Sequence, residues 1–418
     1  MKTTLLFLCI FFGHNILAQK IEDIDFEGLT KTKPFFLHTH IQCKAGMPID
    51  SVIIEKDVQQ LRNLNLFFKV ESKLTLLEDS SKNYRLTFII EEANYIFPIL
   101  LIGGFKDIFK LEAGLNNINY KGEGKTIGAW YQYYDRHSFS FYHNTPKYLH
   151  SNFGHNIVFS KYSTIEPLYF KAKKSFFNYD NYALWLNAKY WLNKNYHVDL
   201  GFTPMYEKYR QLDSVEIPLV QRDFTFFKFR INSGIHFKKI NYLYERISGI
   251  KSTLYTETIQ TKNEPMASFF LVKLSTVQHF LIHKKGNLSY RHVFGLSTNK
   301  VSPFTPFVLD GFLNIRGIGN RIERGTGIHF INLEYKHTIY QNKILILQSN
   351  VFLDAGTLRA AGEKIAMLFS LKETKAQVGF GLRLHTKKYY KTIFRLDYGI
   401  GIHKMGSNGF SFGMGQFF

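Results

Sequence analysis

Three side chains in the last quarter of this 418-residue chain have the types and spacing for one specific ionic contact: Arg316, Glu334 and Asp354. Arg316 stands at the centre of Asp310-Gly-Phe-Leu-Asn-Ile-Arg-Gly-Ile-Gly-Asn320, a glycine-rich, turn-prone stretch between segments whose hydropathy alternates with period two. In Ile331-Asn-Leu-Glu-Tyr335, alternation puts Asn332 and Glu334 opposite Ile331, Leu333 and Tyr335. Likewise Asn350, Phe352 and Asp354 fall opposite Val351, Leu353 and Ala355. A planar guanidinium can bridge two carboxylates through its fork of donors, which the point charge of a lysine cannot do. Gly317 and Gly319 permit the turns and close approach of a loop folded back on itself, and Gly356 is expected to leave room beside Asp354. The chemistry of this set is charge pairing.

No arrangement for bond chemistry accompanies it. The sequence has no Gly-x-Ser-x-Gly elbow, no His-Glu-x-x-His, no phosphate-binding Gly-Lys loop and no dinucleotide fingerprint opening a helix. His137, His143, His150 and His155 fall in a predicted loop region at irregular spacing and read as water-facing. Cys9 lies in the leader and Cys43 stands alone, read as a small buried residue, which leaves no disulfide and no cysteine metal site. No catalytic residue, metal or cofactor is expected. The net charge of +20 is spread along the chain rather than gathered in a patch, which argues against nucleic acid. Such charge suits lipopolysaccharide phosphates or anionic headgroups.

The elements that must position these residues follow from periodicity. Met1 to about Gln19 reads as a secretory signal, with Lys2 before the apolar Leu5–Phe12. Residues 20–96 read as a small α+β domain. Its expected order is a strand at Ile21–Phe26, a helix over Lys33–Gln42, a second helix capped by Asp50, and strands at Phe67–Leu77 and Tyr84–Glu92. Beyond the leader no run reaches the roughly 18 apolar residues of a membrane helix. Over 97–418 the period is two: Phe227, Phe229, Ile231, Ile235 and Phe237 alternate with Lys228, Arg230, Asn232 and His236. Phe394, Leu396, Tyr398, Ile400 and Ile402 oppose Arg395 and Asp397 in the same way. Strands of this kind cross hydrocarbon with an apolar face to lipid and a polar face to a watery lumen. At roughly 20 residues per strand and connection, the segment predicts a membrane β-barrel of about 16 antiparallel strands with a loop re-entering near 310–320. The chain ends on Gly409-Phe-Ser-Phe-Gly-Met-Gly-Gln-Phe-Phe418, with Phe410, Phe412, Met414 and Phe418 expected on one face.

The N-terminal order, with Phe26-Glu-Gly28 and Leu66-Phe-Phe-Lys-Val70, resembles a polypeptide-transport-associated (POTRA) domain. Together with the barrel it resembles the BamA/TamA superfamily of outer-membrane assembly and translocation proteins, the bacterial surface antigen family. Asn314-Ile-Arg-Gly-Ile318 resembles that family's Val-Arg-Gly-Tyr/Phe loop motif, with Ile315 for Val and Ile318 for the aromatic. Phe352-Leu-Asp-Ala-Gly356 matches its Phe-x-Asp-x-Gly strand motif, and Gly379-Phe-Gly-Leu-Arg383 resembles the strand that follows. The last strand resembles the signal by which outer-membrane barrels are recognised for insertion.

The resemblance implies an outer-membrane barrel with its POTRA domain in the periplasm, and no enzyme activity. It implies that the POTRA edge captures unfolded or extended outer-membrane or secreted polypeptides by strand addition, and that the barrel guides their insertion or translocation. Arg316, Glu334 and Asp354 would then hold the loop in its working position. Outer-membrane lipid, lipopolysaccharide and accessory periplasmic proteins are the further partners it implies. Members usually carry two or more POTRA domains, so one alone points to a specialised or accessory factor. The alternative is a passive pore or structural barrel whose loop plugs the lumen.

Overall fold

The computed structural model describes residues 19–418 except 78–82, 104–108, 171–172, 217–221, 244, 262–267, 300–304, 312, 320–322, 387–391 and 403–406. The expected leader, up to its last residue, lies outside the described residues. The N-terminal domain runs β1 (Lys20–Glu27), α1 (Pro34–His38), α2 (Ser51–Asn63), β2 (Phe67–Leu76), β3 (Asn83–Glu92). Its sheet has the order β1-β3-β2, with β1 parallel and β2 antiparallel to β3. Asp50 caps α2 by accepting from the amides of Val52 and Ile53 at 2.8 and 3.3 Å. Leu37, Leu61, Val70, Leu86 and Phe88 form the core under the helices. Cys43 is buried among them, and burial pushes its thiol up to about 12.

The first helix is shorter than its hydropathy suggests. His40 N–H bonds to the Leu37 carbonyl instead of continuing the helical ladder, and the Thr39 hydroxyl takes the Phe36 carbonyl at 2.7 Å. Side-chain competition for that carbonyl closes the helix after His38.

The remaining described chain is strand apart from one 3-10 turn at Ile365–Phe369. It begins with β4 (Ile96–Gly103), β5 (Lys110–Tyr120), β6 (Lys125–Tyr134), β7 (Arg136–Thr145), β8 (Phe153–Phe170) and β9 (Lys173–Trp191). The far wall is β10 (Tyr196–Gln211), β11 (Asp223–Leu243), β12 (Arg246–Thr261), β13 (Phe269–Ile282) and β14 (Gly286–Ser297). A short ribbon, β15 (Phe307–Leu309) with β16 (Glu323–Gly325), stands apart from the wall. The wall resumes with β17 (Gly327–Gln341), β18 (Leu345–Arg359), β19 (Lys375–Thr386), β20 (Ile393–Gly401) and β21 (Gly409–Met414). Sixteen of these strands close into one antiparallel barrel, β21 meeting β4.

The expected faces are the observed ones. Phe227, Ile231 and Ile235 are 55%, 48% and 54% exposed on the outer wall, whereas Lys228 and Asn232 between them are buried inside. Leu396 and Ile400 face outward while Arg395 and Asp397 are enclosed. At the closure, the described residues register only Phe412 with Ile102 and Gly413 with Leu101.

The small domain meets the barrel at the turn between β5 and β6. Lys33 N–H donates to the Gly122 carbonyl at 3.1 Å, and Asn119 Nδ2 donates to Thr32 Oγ1 at 2.8 Å. Glu92 fixes the turn carrying Thr32, accepting from the Thr30 hydroxyl and from the amides of Lys31 and Thr32. Burial pushes the Glu92 carboxyl up, but these hydrogen bonds outweigh it and hold the carboxyl below its ordinary value. A carboxyl depressed in the folded state stabilises above its unfolded value, about 4.3, and loses that stabilisation as pH falls through the folded one. Hydrogen exchange at residues 30–33 is therefore expected to stay slow at neutral pH and to rise below about pH 4. Glu92→Gln should produce the same faster exchange already at neutral pH.

Candidate functional site

The chain leaves β14 and folds inward between the two strands of its ribbon. Asp310 anchors the turn: its carbonyl accepts from the amides of Asn314 and Ile315, and its own N–H donates to Asn314 Oδ1 at 2.7 Å. Asn314 Nδ2 in turn donates to the Val308 carbonyl at 2.9 Å. Gly317 and Gly319 adopt φ of +85° and +97°, where a side chain would be strained. Ile315, Ile318, Phe307 and Leu309 form an apolar core inside the barrel with Phe177 and Phe226 from one wall and Ile328 and Phe330 from the other. The loop thus spans the lumen. It rests on two facing strand glycines, Gly399 and Gly409: a Cβ at Gly399 would stand 2.5 Å from the Arg316 carbonyl oxygen.

At this point the Arg316 side chain is fully enclosed, with 0% exposure. Its Nε and Nη2 donate to the two Asp354 oxygens at 2.8 and 2.9 Å, and its own backbone N–H donates to Asp354 at 3.0 Å. Nη1 donates to Glu334 and lies 3.8 Å from Asp397. The guanidinium lies against two rings, with its centre 3.6 Å from the Phe352 centroid and 4.4 Å from that of Phe417. Glu334 and Asp397 are shared with Arg383, whose Nη2 stands 3.1 and 2.8 Å from them, and Lys336 lies 3.6 Å from Glu334. Asn332 links loop to wall, donating to Asp354 and to the Asn314 carbonyl, both at 2.7 Å. Among the described residues, three cations and three carboxylates therefore meet in one enclosed network. A buried charge this well paired is costly to strand and tolerates little displacement.

Asn314, Ile315, Arg316, Gly317, Ile318, Glu334, Phe352, Asp354 and Gly356 thus converge on one place. Three local readings of the sequence require correction. Gly356 does not serve Asp354; a Cβ there would meet Phe330 Cβ at 2.8 Å and Ile315 Cδ1 at 3.0 Å, so its space receives the loop's isoleucine. Phe418 does not continue the outward face of Phe410, Phe412 and Met414. The strand ends at Met414, Gly415 takes φ +88°, and the last residues turn into the lumen, placing the rings of Phe417 and Phe418 each 5.1 Å from Arg291. The histidines expected in a loop lie on strands, except His150: His137 and His143 on β7 and His155 on β8.

Asp397, Phe417 and the paired glycines are site residues that the sequence alone does not single out. Asp397 carries the same parity signal as Glu334, but its neighbourhood depends on which strands lie side by side.

Comparison with known families identifies both parts of the chain. Residues 119–418 match the Omp85 superfamily domain, and residues 19–93 match a POTRA model described as a surface antigen variable number repeat. The chain belongs to the Omp85 superfamily. Solved structures share the fold at low identity. BamA from Haemophilus ducreyi lacking POTRA domains 1–3 is 14% identical with a TM-score of 0.56, covering 95% of this chain and 84% of its own. CdiB from Acinetobacter baumannii is 12% identical with a TM-score of 0.59, covering 96% of this chain and 74% of its own. CdiB from Escherichia coli is 10% identical with a TM-score of 0.62, covering 95% and 76%. No curated protein sequence matches the chain significantly. As an Omp85 protein with one POTRA domain, it resides in the outer membrane with that domain in the periplasm, in the class that serves outer-membrane assembly or translocation.

Removing one member of the enclosed network should unseat the loop. Asp354→Ala is expected to destabilise the barrel by about 3 kcal/mol or more in urea titrations, the usual range for breaking a buried pair. It should also accelerate hydrogen exchange over residues 313–319. Gly399→Ala changes no charge yet should accelerate the same exchange, because its Cβ collides with the Arg316 carbonyl.

Proposed function

We propose that this Omp85 protein receives unfolded outer-membrane or secreted polypeptides at its POTRA sheet edge and guides them through or along its barrel, as a specialised or accessory factor. The observation that carries the proposal is the enclosed Arg316 network. A loop folded across the lumen and pinned at one height by an enclosed charge cluster suits a machine that must hold and release a defined internal state.

The periplasmic side supports the same reading. The edge of β1 is partly occupied, Ile21 N–H donating to the Met47 carbonyl and Gly46 N–H to that of Ile21. Strand β2 pairs with β3, and over Glu71–Leu76 it is exposed, with Leu74 and Leu76 turned to solvent. Such an edge takes an added strand through backbone hydrogen bonds, with apolar side chains for alternate client residues. Past that edge, a cavity of about 780 Å³ lies between Phe68 and Lys69 of the POTRA domain and Lys238, Tyr242, Lys251 and Ile393 of the barrel. The sparsely paired closure between β21 and β4 offers a lateral route beside it. The reading assigns no bond chemistry to the protein.

A photo-cross-linker at Leu76 should capture an unfolded outer-membrane client, whereas one at Leu200 on the outer wall should not. Proteoliposomes carrying the protein should accelerate client insertion or transport, and Arg316→Ala should slow it by about tenfold or more while the barrel stays folded. Large, steady planar-bilayer conductance with no effect on any client would carry the passive-pore reading instead.

A further inference from the structure

Away from the Arg316 network, a cluster among the described residues of the inner wall has the composition and placement of a metal site. The geometry points to His197, Asp199 and His236 as ligands for a divalent first-row transition ion of the zinc class. His197 and Asp199 are two residues apart on β10, and His236 is the direct cross-strand partner of His197 on β11. Residues at i and i+2 on one strand, with the position facing i on the next, project from the same face of the sheet. All three therefore point into the lumen, where one ligand atom from each lies within 4.8 Å of the others. Two imidazoles with one carboxylate form a donor set suited to zinc, copper or nickel, and the open lumen leaves room for water to complete a tetrahedron.

The surroundings are arranged as outer partners of such a site. His236 Nδ1 contacts Thr253 Oγ1 at 3.2 Å, which directs Nε2 toward Asp199. Asn232 Nδ2 approaches the other Asp199 oxygen at 3.4 Å. His197 Nδ1 is buried with no hydrogen-bond partner, an unmet need that an ion would satisfy. The two rings lie parallel with centroids 4.3 Å apart, and the Trp191 ring lies tilted against His197 at 4.5 Å. Closure on an ion requires the His197 ring to turn about Cβ–Cγ so that the lone pairs converge. Such a site would staple β10 to β11 in the part of the lumen nearest the POTRA domain, on the strand whose Asn241 and Tyr242 receive Asn63 and Gln59 of α2.

The test is direct binding of the metal alone. The full chain, folded in detergent micelles and freed of metal by chelation, is titrated with zinc against a chromophoric competitor, and then with cobalt for its visible spectrum. We expect saturable uptake of one ion and a cobalt spectrum of four-coordinate type. His197→Ala and Asp199→Asn should each weaken binding at least about tenfold, and Thr253→Val should do so to a lesser extent. His143→Ala, whose ring contacts His155 elsewhere on the wall, should leave it unchanged. Folding of each variant is checked by heat-dependent gel mobility, and the wild-type cobalt spectrum stands regardless of variant behaviour. No saturable uptake, an octahedral aquo spectrum, or uptake indifferent to His197→Ala and Asp199→Asn would overturn the proposal.

Discussion

The structure depends on keeping one guanidinium out of water. Moving a charged group into an enclosed site costs several kcal/mol unless its donors and charge are met on every side. Arg316 meets that condition with a bidentate aspartate, a glutamate, a further carboxylate at 3.8 Å and two aromatic rings against the guanidinium. Those partners come from three strands of the wall, β17, β18 and β20, and from the tail. Strand register brings them together: Asn332 faces Asp354, Glu334 faces Phe352, and Phe352 lies over Gly379, where any side chain would displace its ring. A slip of one residue in β17 or β18 would turn the acids to lipid and leave the arginine stranded.

The same contact links regions far apart in the chain. The loop is seated on Gly399 and Gly409, and β21, which carries Gly409, forms the barrel closure with β4. From the end of β21 the tail returns to the lumen, where Gln416 accepts from Lys336 and Phe417 covers Arg316. Loop position, tail position and the last strand are therefore mechanically joined. Phe418 also lines the cavity between the POTRA domain and the barrel.

Much of this was legible in the sequence, for a physical reason. A barrel wall separates lipid from water across each strand, so parity alone sorts Phe227 from Lys228 and Glu334 from Leu333. The Asn-Ile-Arg-Gly-Ile motif in a turn-prone stretch, followed by acids of inward parity, singles out the network's centre. What depended on three-dimensional neighbours was not legible. Asp397 and Arg383 join the network only through the β18-β19-β20 order, and Gly356 serves Ile315 rather than Asp354 because of the height at which the loop enters. Phe418 escapes alternation because one glycine, Gly415, turns the chain with positive φ. The first helix stops at His38 because side chains of Thr39 and His40 compete for the Phe36 carbonyl, a contest that hydropathy does not record.

The most direct measurement is a double-mutant cycle on Arg316 and Asp354, read from reversible urea unfolding of the barrel with Arg316→Gln, Asp354→Asn and the combined variant. If the ion pair holds the loop, the single losses should exceed additivity by about 2 kcal/mol or more, the coupling expected of residues in one buried network. Losses that simply add, within about 0.5 kcal/mol, would mean the two side chains do not act on each other and would contradict the account.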